Sequence, residues 1–85
     1  MINIIYKDMC PYCDMAKWLM DSLWIEYNAI DYTWEFDKIV DLSIMTGMRT
    51  IPQIFNWDVS RENLIWGYTE LKQLVDEWKL EDLIK

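Results

Sequence analysis

Cys10 and Cys13 are the only two cysteines in this chain of 85 residues, and they fall in the motif Cys10-Pro11-Tyr12-Cys13. A disulfide across so short a loop removes little entropy from the unfolded chain and adds little stability. The same spacing at a helix start lowers a thiol pKa and turns the sulfur into a nucleophile. If the helix begins at Pro11, Cys10 occupies the N-cap, where free backbone N–H groups and the positive end of the helix dipole favour thiolate. Cys13, one turn deeper, lacks that advantage. The asymmetry makes Cys10 the attacking sulfur and Cys13 the one that resolves a mixed disulfide. Lys7, three residues upstream, favours the Cys10 thiolate, whereas Asp8 and Asp14 oppose it.

The chain has no histidine. No imidazole can act as general base, so thiol activation falls to the backbone and to cations. Zinc also loses its usual ligands, because two cysteines with carboxylates make a poor structural site and a shared site requires a dimer. The formal net charge of −7 argues against a nucleic-acid partner, which needs clustered Lys and Arg. No run approaches the roughly 18 apolar residues of a membrane span, and the opening Met1-Ile2-Asn3-Ile4-Ile5 lacks a basic segment. The expectation is a single cytoplasmic domain over residues 1–85, with no membrane partner and no tightly bound cofactor. Hydrophobic residues make up 53% of the chain, and its six tryptophans and six methionines are expected to help such a short sequence build a core.

The elements that must position the cysteines follow from pattern. Ile2 to Tyr6 reads as a buried strand. Pro11 suits a first helical position, and Tyr12, Ala16, Leu19 and Leu23 recur at helical spacing, ending the helix near Leu23 or Trp24. Ile25 to Asp31 reads as a second strand. Thr33 is placed to cap a second helix with the stripe Phe36, Ile39, Val40 and Ser43, stopped by Gly47. Gln53 to Trp57 and Asn63 to Trp66 read as a hairpin across Asp58 to Glu62. Thr69 then caps a third helix with Leu71, Leu74, Val75 and Trp78 on one face, and the tail from Leu80 to Lys85 either extends it or folds back. The order β-α-β-α-β-β-α predicts an α/β fold: a four-stranded mixed sheet with helices on both faces, the first and third sharing one. A second signal is Thr50-Ile51-Pro52. A proline opening a strand is compatible with a cis bond, and an Ile51 backbone facing Cys10 can pair with an extended peptide.

Cys10-Pro11-Tyr12-Cys13, then Thr50-Ile51-Pro52-Gln53-Ile54-Phe55, then Gly67-Tyr68-Thr69 together resemble the glutaredoxins over essentially the whole chain. The resemblance implies a thioredoxin fold and reduction of protein disulfides and glutathione mixed disulfides, with glutathione as co-substrate and electron source. It implies that Cys10 takes a glutathionyl group or attacks a protein disulfide, and that Cys13 closes the internal disulfide. Lys7 matches a lysine that contacts the glycyl carboxylate of glutathione or stabilises the thiolate, and Tyr12 flanks the tripeptide. Ile51, before a cis Pro52 and after Thr50, pairs its backbone with the cysteinyl residue. The helix start at Gly67, Tyr68 and Thr69 receives the γ-glutamyl carboxylate, and Arg49 is a further carboxylate partner. Disulfide-bearing proteins, ribonucleotide reductase among them, are the macromolecular partners implied, and a monomer is expected.

Two features depart from the family pattern. Trp66-Gly67 stands where Gly-Gly is usual; Trp66 is expected to point into the core rather than narrow the groove. The acidic surface repels anionic glutathione at long range, although salt screens this beyond about 8–10 Å. Both leave room for a glutaredoxin-like thioredoxin reduced by thioredoxin reductase. A non-catalytic binding module is a third reading, against which the intact cysteine pair argues. Trp18, on the polar side of the first helix, is expected to be a partly exposed packing residue.

Overall fold

A computed structural model describes residues 1–84, so that Lys85 of the tail lies outside the described residues. Strand β1 spans Ile2–Tyr6 and helix α1 spans Pro11–Ser22. They are followed by β2 (Tyr27–Asp31), α2 (Phe36–Thr46), β3 (Gln53–Asn56), β4 (Leu64–Trp66), α3 (Tyr68–Asp76) and α4 (Leu80–Ile84). A 3-10 turn at Arg61–Asn63 interrupts the β3–β4 connection. The sheet order is β2-β1-β3-β4, with β1 parallel to β2 and antiparallel to β3, and β3 antiparallel to β4. This is the mixed four-stranded sheet of the thioredoxin fold.

Side-chain alternation along the central strands divides the core in two. Ile2, Ile4 and Ile54 face α1 and α3, where Ala16, Met20, Ile65, Leu71 and Leu80 complete one cluster. Ile5 and Phe55 face the opposite way and pack on Leu42 of α2. Helices α1 and α3 therefore share a face, and α2 alone covers the other. None of the described helices is long and apolar enough to cross a membrane.

Several expectations give way to packing. The buried stripe of α1 is Cys13, Ala16 and Met20, one position round from the predicted one, because Tyr12 turns outward to the site and Leu23 lies at the helix end. In α2 the buried residues are Leu42 and Thr46, while Phe36 and Val40 are exposed. That helix begins at Phe36 because Thr33 is engaged elsewhere: its N–H donates to Asp31 Oδ1 at 2.8 Å, its hydroxyl bonds the same carboxylate, and Oγ1 accepts the Asp8 N–H at 2.9 Å. Strand β2 starts at Tyr27 rather than Ile25, since Ile25 is still bonded to the end of α1 through its N–H to Met20 O at 3.1 Å. Gly67, not Thr69, caps α3; Glu70 Oε1 accepts the Gly67 N–H at 3.0 Å, while no side chain at the cap accepts the first N–H groups of the helix. The tail neither extends α3 nor ends as a plain turn: a break at Trp78 and Lys79 leads into α4.

The tryptophans do not build the core. All six are exposed, from 49% at Trp66 to 94% at Trp24, and of the six methionines only Met20 is buried. Trp66 in particular does not point inward. Its φ of 85° sends the side chain outward from β4. Trp18 is 66% exposed and contributes little packing.

Candidate active site

Cys10 is the N-cap of α1, with extended φ and ψ of −121° and 96°, and Pro11 is the first helical residue. Proline costs nothing there because its missing N–H would have no partner within the helix. The arrangement turns the Cys10 sulfur toward the open end of the helix, where it accepts the Cys13 N–H at 3.3 Å. Cys10 and Cys13 are joined as a disulfide, their Cα atoms 5.2 Å apart. Cys10 is 7% exposed and Cys13 fully buried, so an incoming molecule reaches only the first sulfur. The expected asymmetry between the two is thereby given a geometric basis.

Across from the helix end lies the turn that precedes β3. The Ile51–Pro52 peptide bond is cis, and the Ile51 carbonyl oxygen is 3.5 Å from Cys10 Sγ. The two contacts of this sulfur have opposite preferences. The Cys13 N–H and the helix end favour a thiolate, while the Ile51 carbonyl accepts from a protonated thiol.

A groove of about 300 Å³ runs beside the pair, lined by Tyr12, Met48, Thr50, Ile51, Pro52, Gly67, Tyr68, Thr69 and Glu70. Seven of these were named from the sequence, and three separate segments bring them together. The rings of Tyr12 and Tyr68 stand 6.0 Å apart at 37° and link α1 to the start of α3. The α3 N-terminus abuts the cis-proline turn: a Cβ on Gly67 would sit 3.5 Å from the Pro52 carbonyl oxygen and from Met48 Cε. Lys7 and Arg49 are not part of the groove lining. Both are exposed and, among the described residues, neither has an ion-pair partner. Asp14 lies 3.9 Å from Lys17, and Asp8 is exposed.

Three residues of the site escaped the sequence reading. Glu70 was legible, since a Glu three residues after a helix cap is a capping signature, but the cap had been placed two residues too late. Met48 carries no local signal. Gln53 appeared only as part of a motif, yet it is fully buried behind the groove. Its Oε1 accepts from Thr46 Oγ1 and its Nε2 donates to the Met48 carbonyl, each at 3.0 Å. Trp66 lies elsewhere: it lines a separate hollow of about 470 Å³ among β4, α3 and α4, together with Gln73 and Leu83. It neither fills the core nor narrows the groove. Among the described residues no three His, Cys, Asp or Glu side chains gather as a metal site.

Residues 2–59 match the family model described as Glutaredoxin. Over 76 residues the chain is 30% identical to a glutaredoxin of Neisseria meningitidis serogroup A, covering 88% of this chain and 85% of that one. It is 34% identical over 57 residues to a glutaredoxin of Ricinus communis, a match that takes in 64% of this chain and 56% of the relative. The chain thus spans little more than half the length of some relatives and most of others. Among solved structures, the buckwheat glutaredoxin–glutathione complex superposes with a TM-score of 0.83 at 26% identity, over 98% of this chain and 74% of that one. With Cys13 buried, Cys10 capping the helix beside it and a cis-proline turn facing the pair, the chain belongs to the glutaredoxin family.

Proposed function

We propose that the protein reduces glutathione mixed disulfides and protein disulfides with electrons drawn from glutathione. The observation that carries this reading is the groove beside Cys10, where an open backbone edge at Ile51 and a helix N-terminus at Tyr68 and Thr69 meet one accessible sulfur. A tripeptide with a carboxylate at each end suits such a groove. Its cysteinyl backbone adds to the Ile51 edge, and its γ-glutamyl carboxylate faces the N–H groups opening α3. Arg49 and Lys7, unpaired among the described residues, are the cations available to the glycyl carboxylate.

In the reaction the Cys10 thiolate attacks the glutathione sulfur of a mixed disulfide. The substrate thiol leaves with the electron pair of the broken S–S bond and takes a proton. A second glutathione then attacks the Cys10-bound sulfur, forming oxidised glutathione and restoring the Cys10 thiolate. With a protein disulfide, Cys10 forms the mixed disulfide and Cys13 attacks Cys10, releasing the dithiol and closing the Cys10–Cys13 bond. Two glutathiones return the pair to the reduced state. The reading includes a reducing, cytoplasmic setting, in which such a bond is transient. Disulfide-bearing proteins such as ribonucleotide reductase are proposed substrates.

The test is a donor assay on the oxidised protein. Glutathione with its reductase is expected to reduce the Cys10–Cys13 bond at a useful rate, and thioredoxin reductase is not. The reverse result would replace glutathione by thioredoxin reductase as donor. With Trp66 outside the groove, the strong negative charge is the feature that favours that second donor.

A further inference from the structure

Helices α1, α2 and α3 end in left-handed turns, but with different residues. After α2 the left-handed residue is Gly47, at φ 77°, whose N–H reaches Ser43 O at 2.8 Å. After α1 it is Trp24, at φ 58°; its N–H donates to Asp21 O at 3.2 Å and the next N–H, of Ile25, to Met20 O at 3.1 Å. After α3 it is Trp78, at φ 60°, with its N–H on Val75 O at 3.1 Å and the Lys79 N–H on Leu74 O at 2.9 Å. These two bond pairs define a Schellman stop, whose left-handed position is usually glycine because any Cβ there is penalised. Trp57 and Trp66, on either side of the β3–β4 turn region, are left-handed as well, at 77° and 85°. Among the other non-glycine described residues only Met9 shares this conformation.

Tryptophan is a poor choice for such positions, and it gains nothing in return here. The Trp24 and Trp78 side chains are 94% and 86% exposed, whereas tryptophan is ordinarily well buried. Glycine, meanwhile, occurs twice in 85 residues, against about six expected from its usual share of roughly 7%. We propose that positions 24, 57, 66 and 78 are glycine in the protein as its own cell makes it. On this proposal all four are UGA codons, since UGA specifies tryptophan in some genetic codes and glycine in others. Mass spectrometry of the protein from its native source is expected to show glycine at all four; tryptophan at any of them overturns the proposal. The backbone claim is tested apart from the gene. A variant with all four changed to glycine is expected to melt roughly 10 °C or more above the chain with tryptophan. An equal or lower melting temperature shows that the turns were not built for glycine.

A second observation, independent of the turns, concerns Gln53. Both ends of this fully buried amide bond to the segment that leads from α2 into the groove, and the Met48 N–H returns to Thr46 Oγ1 at 3.2 Å. We infer that Gln53 is a positioning residue that sets the Met48–Ile51 wall of the groove, an inference that rests on the glutathione reading. Gln53→Met, which removes both bonds at similar volume, is expected to raise KM for a glutathionylated peptide about tenfold with kcat little changed. Thr46→Ser, which keeps the hydroxyl, is expected to retain the original KM, and Thr46→Val to raise it. If the unaltered protein shows no saturation with the glutathionylated peptide, both readings fall. If it saturates and the Gln53→Met and Thr46→Val KM values match it, Gln53 and Thr46 are merely structural.

Discussion

The two ends of helix α1 make opposite use of the same backbone rules. At its start every residue type agrees with its position: Cys10 at the cap offers an acceptor to the Cys13 N–H, and Pro11 fills the place where no N–H is needed. At its end Trp24 occupies a left-handed turn that penalises every residue with a side chain and leaves its ring in solvent. The contrast separates two kinds of irregularity. The one accessible sulfur, held between an N–H and a carbonyl, is placed for chemistry. An exposed tryptophan in a glycine conformation serves neither packing nor reaction. Where disagreement between residue and backbone serves nothing nearby, it points to the residue itself rather than to a function.

The comparison breaks first, and most severely, at Cys10. Cys10→Ser is expected to lower disulfide turnover by roughly a thousandfold or more, read with both glutathione mixed disulfides and protein disulfides; surviving activity would remove the nucleophile from the helix start. Cys13→Ser is expected to divide the two substrates. Reduction of the mixed disulfide stays within a few-fold, because a second glutathione can attack the glutathione sulfur bound to Cys10, whereas reduction of protein disulfides is lost. Equal persistence of both would show that Cys13 resolves nothing.

The helix ends give smaller effects of opposite sign. Gly47→Ala is expected to cost about 1 kcal/mol through its positive φ alone, since no atom lies within 4 Å of the added Cβ. Trp24→Gly is expected to gain about the same. Urea unfolding of the two variants measures both, and two shifts in the same direction would dissolve the contrast between α1 and α2. The least effect concerns the turn after β2. The Thr33 hydroxyl, with the Thr33 N–H second, holds the Asp31 carboxyl below the ordinary carboxylate range. A folded-state pKa below the unfolded one adds stability above about pH 4, and this is lost as pH falls through the folded value. Asp31→Asn should therefore flatten the acid limb of the stability curve; an unchanged limb would mean that the Asp31–Thr33 bonds do not matter to folding.

Much of the site was legible because its chemistry is local. The Cys-x-x-Cys spacing with Pro11 between specifies the helix start, and Thr50-Ile51-Pro52 announces a backbone irregularity. Other parts were legible in kind but misplaced. The stripe of α1 was read through Tyr12 and Leu23, and only the position of α3 shows that Cys13 and Met20 face inward instead. Thr33 and Thr69 both looked like caps, because a hydroxyl near a helix start is a cap by default. Asp31 captured the first, and the second lies inside α3, which already begins at Tyr68. Tryptophan counted as core material on composition alone, and nothing in its sequence neighbours tells Trp66 which way to turn.

The sequence by itself determined the thiol pair, the order of the elements from β1 to α3 and the family, since these depend on residue identity and on spacing within one turn or strand. Only the tertiary structure decided what stands around the sulfur. The Ile51 carbonyl at 3.5 Å, the tyrosine pair joining α1 to α3, and the buried Gln53 behind Met48 bring together residues 41, 56 and 5 positions apart in the chain. Contacts of the longer kind depend on how the sheet packs its helices, and local pattern does not specify that packing. The left-handed turns at Trp24 and Trp78 belong with them: a sequence lists the tryptophan, but only the folded backbone shows the conformation it has been given.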